Sequence, residues 1–337
     1  MTARRFGQMP DGADVHEVTI GNDALSAQIM TYGAVIRDVR LAGIDHPLVL
    51  GFDDFDSYRL HSPFFGALVG RTANRTAGGR LEIDGTRYTL DLNEAGRTHL
   101  HGGSHGFGVR NWQLVEHNDR SVTLALVSED GDQGYPGRLA VTCRYEVRAP
   151  ATLAFDITAT TDAETVVNLA QHSYFNLDDG DSILDHDVQI FADAYTPVDE
   201  YLIPIGEIRP VAGTPYDFRE PRPIRLNQGG ERVLYDINMA IDTRRADAPR
   251  PLARLRSPIS GVEMVVHSTE PGVQFYDGNM MDIAVPGLGG RRYRVSSGVC
   301  FEPQMFPDAP NQPAFPRTAL MPGETYRQSS AFAFRRT

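Results

Sequence analysis

Apolar residues in this chain recur at every second position. Leu139, Val141, Cys143, Tyr145 and Val147 alternate with polar neighbours, as do Leu153, Phe155, Ile157 and Ala159, and again Val122, Leu124 and Leu126. A period of two puts such side chains on one face of a strand and their neighbours on the other, so these segments need sheets with one face buried. Gly and Pro interrupt the rest, as in Tyr135-Pro136-Gly137 and Met321-Pro322-Gly323, and leave few windows of helical length. Asp84-Gly85 separates two short runs, Arg80-Leu81-Glu82-Ile83 and Arg87-Tyr88-Thr89-Leu90. Both turn residues tolerate positive φ, so a hairpin is expected there. The fold class is therefore all-β, a large β-sandwich. All-β architectures often run to this length as one unit, so residues 1–337 are read as a single domain. Arg244–Pro251 is the most linker-like stretch and is read as a surface loop.

Composition removes several chemistries. The chain contains no lysine, so a Schiff-base mechanism, lysine-anchored pyridoxal phosphate and a Walker A phosphate loop are excluded. The net charge of −12 argues against binding nucleic acid, which needs a basic surface, and favours a neutral or small ligand. No apolar run is long enough to cross a membrane as a helix, and no apolar segment follows Arg4-Arg5 as a secretory signal requires. The two cysteines, Cys143 and Cys300, could form one disulfide, but the alternation around Cys143 favours a buried reduced thiol. Together these features suggest a cytoplasmic protein; a monomer and a homodimer are both compatible with the sequence.

Polar residues concentrate in a few places. They are Gly70-Arg71-Thr72-Ala73-Asn74-Arg75, His99-Leu100-His101-Gly102-Gly103, Asn168 to Leu177 with Gln171-His172-Ser173-Tyr174, Tyr235-Asp236-Ile237-Asn238, Pro271 to Asn279 with Gln274, and Cys300-Phe301-Glu302-Pro303-Gln304. Arg, Asn, Gln and carboxylates bond sugar hydroxyls, often two at a time, and aromatic rings cover the C–H faces of a pyranose. Glu302 follows Val299, Cys300 and Phe301, so it is expected to point inward, where a carboxylate needs a reason to be buried.

These clusters, in this order and at this spacing, resemble the aldose 1-epimerase (galactose mutarotase) family. The resemblance runs from the N-terminal strands to Pro322-Gly323-Glu324-Thr325-Tyr326, and Asn311-Gln312-Pro313 with Phe315-Pro316 adds to it. It implies a supersandwich of the galactose mutarotase type with an open cleft and no cofactor. It implies that Glu302 is the general base and His172 the general acid, and that Asn74, Arg75, His101, Asp236 and Gln274 hold the sugar. Arg71, His99 and His105 are given structural roles. Many members of the family carry Gly two residues before the Asp236 position and His just after it, where this chain has Leu234 and Ile237; Met305 stands where an amide is common.

Other readings stay open. The histidines 99, 101 and 105 invite a metal site, with His99 and His101 on the same side of a strand. A catalytically silent sugar binder on the same fold, or a glycosidase or lyase, would also use such clusters. Asp130–Gly134 lacks the closing Glu of a calcium loop. Gly287-Leu288-Gly289-Gly290 reads as a turn, and Asp178-Asp179-Gly180-Asp181 as a solvated loop.

Overall fold

The computed structural model describes residues 3–337. The alternating runs form strands as expected. Leu139–Arg148 pairs antiparallel with Thr152–Thr161 over ten residue pairs and with Ser121–Ser128 on its other side. They belong to a nine-stranded sheet whose order is Gln113–His117, Ser121–Ser128, Leu139–Arg148, Thr152–Thr161, Tyr326–Arg336, Val262–Ser268, Arg250–Arg256, Asp187–Ile190 and Arg222–Pro223. The last strand of the chain, Tyr326–Arg336, sits in the middle and joins the two halves of the sheet.

A six-stranded sheet lies over it, in the order Tyr174–Phe175, Val299–Gln304, Gly272–Tyr276, Asp236–Ala240, Ala194–Thr196 and Arg209–Pro210. Ile237, Met239, Val273, Phe275, Val299 and Phe301 face the larger sheet and share one apolar core with Val188, Leu255, Met264, Val266, Phe332 and Phe334. The Phe275 and Phe301 rings stack with centroids 5.4 Å apart. Burying each such ring contributes about 1.5–3 kcal/mol relative to leaving it in water. A four-stranded meander, Arg4–Gln8, Asp14–Gly21, Leu25–Met30 and Val35–Leu41, adds Val18, Ile20, Ala27 and Ile29 to the same core. The architecture is a large β-sandwich.

The Asp84-Gly85 hairpin forms between Arg80–Ile83 and Thr86–Thr89. The Gly287–Gly290 stretch is a turn containing the short 3₁₀ segment Leu288–Gly290. Cys143 and Cys300 are both free and buried. Two expectations need correction. The stretch Arg244–Pro251 is not all loop, because Arg250 and Pro251 begin the strand Arg250–Arg256; the pairing shifts after Pro251, where proline cannot donate to the ladder. Asp178 is not solvated. It is buried, accepts a 2.8 Å bond from Ser257 Oγ and lies 3.8 Å from His186 Nε2.

Candidate active site

The six-stranded sheet that closes the core on one face offers a polar row on the other. Along Asp236–Ala240, Gly272–Tyr276 and Val299–Gln304 the odd-numbered side chains enter the core, apart from Pro303, so the even-numbered ones point away from it. Register then fixes the row. Asn238 lies opposite Gln274 and Gln274 opposite Glu302, while Asp236 lies opposite Tyr276, and Tyr276 and Tyr174 both lie opposite Cys300. Ile237 is therefore a core residue and Leu234 is exposed, so neither departure from the family pattern reaches the polar row. Met305 is buried outside the cleft, with its backbone tied to Asn168 by bonds of 2.9 and 3.2 Å.

His172 ends the strand Ala170–His172, which pairs with Ala67–Val69. Its ring stacks on Tyr174 at 5.1 Å and on Phe64 at 6.0 Å. Its Nε2 lies 3.6 Å from Glu302 Oε1 and its Nδ1 3.6 Å from Cys300 Sγ. The imidazole and the carboxylate are thus immediate neighbours in the site. Asn74 and His101 lock together. The His101 amide donates to Asn74 O at 3.1 Å, and the Asn74 amide donates to His101 Nδ1 at 3.2 Å. Since Nδ1 accepts, the neutral ring carries its proton on Nε2 and has a donor to offer. Arg75 is clamped by Glu94 through two bonds of 2.9 Å, and its Nη1 lies 3.4 Å from Asp236 Oδ2. Asp236 Oδ1 accepts from Gln274 Nε2 at 2.6 Å.

Asn74, Arg75, His101, His172, Asp236 and Glu302 line one cleft with an empty volume of about 670 Å³, open solvent included. That size suits a small molecule. Gln274 does not line it; it stands behind Asp236 and orients that carboxylate. The rest of the wall includes Phe64, Glu94, Tyr174, Tyr276, Met280 and Met281, none singled out individually from the sequence. Phe64 and Glu94 lie on loops, where periodicity gives no signal, whereas Tyr276 could have been found by counting two residues on from Gln274.

Burial governs the charges here. It pushes the Glu302 carboxyl well above its ordinary range, with the nearby Asp236 charge adding to the effect and Arg75 opposing it. It brings His172 down to about 4 and His101 well below the usual imidazole value. On the cleft wall, the buried Glu302 Oε2 has no hydrogen-bond partner. Leaving such an atom unbonded costs about 1–3 kcal/mol, which is the state of a surface built to receive polar groups.

The structure does not assemble a metal site from His99, His101 and His105. The strand Thr98–Leu100 ends before His101, whose φ of 51° turns it away, so His99 and His101 do not share a strand face. Both ring nitrogens of His99 are engaged, by Asp91 O at 2.7 Å and Tyr135 Oη at 2.6 Å, and His105 is exposed. Arg71 lies outside the cleft and bonds Ser128, Pro136 O, Gly137 O and Thr165.

The profile of the aldose 1-epimerase family matches residues 16–333. The chain belongs to the aldose 1-epimerase family. The galactose mutarotase of Rattus norvegicus is 39% identical, with 99% of this chain and 98% of the relative covered. The aldose 1-epimerase of Escherichia coli K12 is 36% identical, with 96% of each covered. Among solved structures, the GalM/aldose epimerase homologue from C. elegans superposes with a TM-score of 0.89 at 29% identity, covering 96% of this chain and 99% of the homologue. The galactose 1-epimerase of Lactobacillus acidophilus NCFM gives 0.85 at 26% identity, with 99% and 98% covered. The sandwich and its cleft are thus those of an aldose 1-epimerase family member.

Proposed function

We propose that this chain interconverts the α and β anomers of a free aldose, with Glu302 as general base and His172 as general acid. The observation that carries this reading is the buried carboxylate–imidazole pair, 3.6 Å apart, in a cleft lined by hydroxyl-binding side chains. Anomers exchange through the open chain. The base takes the proton of the C1 hydroxyl, the C1–O5 bond breaks, and the acid delivers a proton to O5. The aldehyde turns about C1–C2, and the ring closes on its other face with both proton transfers reversed. O1 and O5 are bonded to the same carbon, so two neighbouring groups on one side serve both oxygens. The reaction transfers no electrons and consumes no water.

The charge shifts fit a pair that shares one proton. With Glu302 raised and His172 lowered, the empty site holds that proton on the carboxyl; moving it to the imidazole gives the base and acid forms without a change in proton count. The pair gains a second proton as pH falls through about 4 and loses its last one above the ordinary carboxylate range. A plot of log kcat/KM against pH is therefore expected to be flat in the middle, with its acid limb near 4 and its alkaline limb set by Glu302. An acid limb at the ordinary imidazole value would contradict the buried neutral state assigned to His172.

Arg75, Asn74 and His101 are proposed to bond the sugar hydroxyls, together with Asp236. Gln274 acts through Asp236. Gln274→Ala is expected to raise KM on the order of tenfold with little change in kcat, since it removes a partner from a buried carboxylate without touching the proton pair. Steady-state rates over a range of sugar concentrations separate the two effects.

The direct test is polarimetry of freshly dissolved α-D-galactose and α-D-glucose in weak buffer, because ordinary acids and bases catalyse the same exchange. The protein is expected to speed the approach to an unchanged final rotation. If it adds nothing with any of several aldoses, the reading fails, and calorimetry would then ask whether the chain only binds sugar.

A further inference from the structure

Anomer exchange as proposed leaves one group just beneath the cleft wall, in contact with its His172, without a task. Cys300 belongs to the strand Val299–Gln304 and has even parity, so it points to the same side as Glu302, one step along the polar row. Its thiol is buried and lies 3.6 Å from His172 Nδ1. The neighbouring carboxylate is only half engaged. Glu302 is 2% exposed, Oε1 lies 3.6 Å from His172 Nε2, the ring nitrogen other than the one the thiol faces, and Oε2 has no hydrogen-bond partner. One ligand atom from each of His172, Cys300 and Glu302 lies within 4.8 Å of the other two, and this is the one such cluster of three or more among the described residues.

Sulfur, imidazole nitrogen and carboxylate oxygen make a donor set for a borderline-soft divalent cation. Zn²⁺ binds each of them at about 2.0–2.3 Å in a tetrahedron, so its ligand atoms lie about 3.5 Å apart. Separations of up to 4.8 Å must close by about 1 Å, and because Cys300 faces Nδ1 and Glu302 faces Nε2, the imidazole must also turn so that one nitrogen points at the ion. The fourth position of the tetrahedron is left for water. Hard cations such as Mg²⁺ and Ca²⁺ prefer all-oxygen shells and have no use for the sulfur.

We propose that a thiophilic divalent cation, Zn²⁺ being the type, binds to His172, Cys300 and Glu302 and reversibly shuts the cleft. Binding replaces the thiol proton and the proton shared by Glu302 and His172 with the metal, and both protons leave to solvent. It removes the base and the acid together. The metal site rests on the geometry of the three side chains alone; its inhibitory consequence rests on the catalytic roles proposed above for Glu302 and His172.

Co²⁺ is the probe, because a thiolate ligand gives it a charge-transfer band in the near ultraviolet. Titrating the intact protein with Co²⁺ is expected to produce that band with one ion per chain. Zn²⁺ and galactose should each abolish it, and Cys300→Ser should lack it. In parallel, Zn²⁺ but not Mg²⁺ should slow anomer exchange. Half-inhibition of Cys300→Ser, measured against its own metal-free rate, should need at least the roughly 10–100-fold more Zn²⁺ that losing even an outer-shell partner costs a site. Binding without a sulfur band, or equal Zn²⁺ sensitivity in Cys300→Ser, overturns the proposal. If the variant does not fold, the wild-type band and its loss on adding galactose still decide the matter, since the other thiol, Cys143, lies in the sandwich core. A band in a protein that shows no anomer exchange would leave the metal site standing and overturn the enzymatic reading instead.

Discussion

Glu302→Gln is expected to lower kcat for anomer exchange by about 10²–10⁴-fold, with KM changed far less. The amide has nearly the shape of the carboxylate it replaces, and Glu302 is buried with one oxygen unpartnered, so packing should survive. What is lost is the ability to accept the C1 hydroxyl proton. His172→Asn should cost a similar factor, because ring opening needs O5 protonated as O1 is deprotonated. The double variant is the more telling measurement. Two groups that act on one transition state do not add, so removing both should cost little more than removing either. Polarimetry gives all four rates, with circular dichroism to confirm that each variant is folded. A Glu302→Gln enzyme within about tenfold of wild type would end the assignment of the base.

Gly102→Ala should be the most damaging of the conservative substitutions. Gly102 has φ of +89°, and a Cβ there would lie 1.7 Å from Gly70 O and 2.1 Å from Gly70 C. Both atoms are backbone, so nothing can swing aside, and the turn carrying His101 must separate from the segment leading to Asn74 and Arg75. A loss of about 4 kcal/mol or more is expected, seen as a Tm lower by on the order of 10 °C or as insoluble protein. Gly213→Ala is the control. Its φ of +74° is as unfavourable, but nothing lies within 4 Å of the added carbon, so only the backbone strain of about 1–2 kcal/mol remains. Equal Tm shifts in the two variants would show that the close approach at Gly102 relaxes at little cost.

The sheets were legible because alternation is local. Val141, Cys143, Tyr145 and Val147 declare their common face without reference to any other segment, and the faces they define are those found. The short helix Phe55–His61 was not foreseen. It has only seven residues, buries only Phe55 and Tyr58, and owes its start to Asp54, which accepts from the Ser57 amide at 2.8 Å. Two apolar residues make no period. Asp178 was misread for a related reason: its partner Ser257 lies 79 residues away, so the local Asp-Asp-Gly-Asp context spoke only of a loop. At the site, parity alone puts Gln274 and Glu302 each on one face of its own strand. That Gln274 stands next to Glu302 and behind Asp236 depends on register between strands, which local pattern does not carry. Phe64 and Glu94 reach the cleft from loops and left no trace in the pattern.

The parity of the three central strands also separates two kinds of inheritance. A change at Asp236 or Glu302, even positions on the cleft wall, alters what the cleft presents and leaves the core between the sheets nearly intact; a change at an odd position such as Ile237 or Phe275 alters that core and leaves the cleft wall alone. Ile237 is a case in hand. It stands where many family members carry histidine, yet its side chain is absorbed between the two sheets. Recognition and robustness can therefore be altered independently, although they are written into alternate letters of the same few strands.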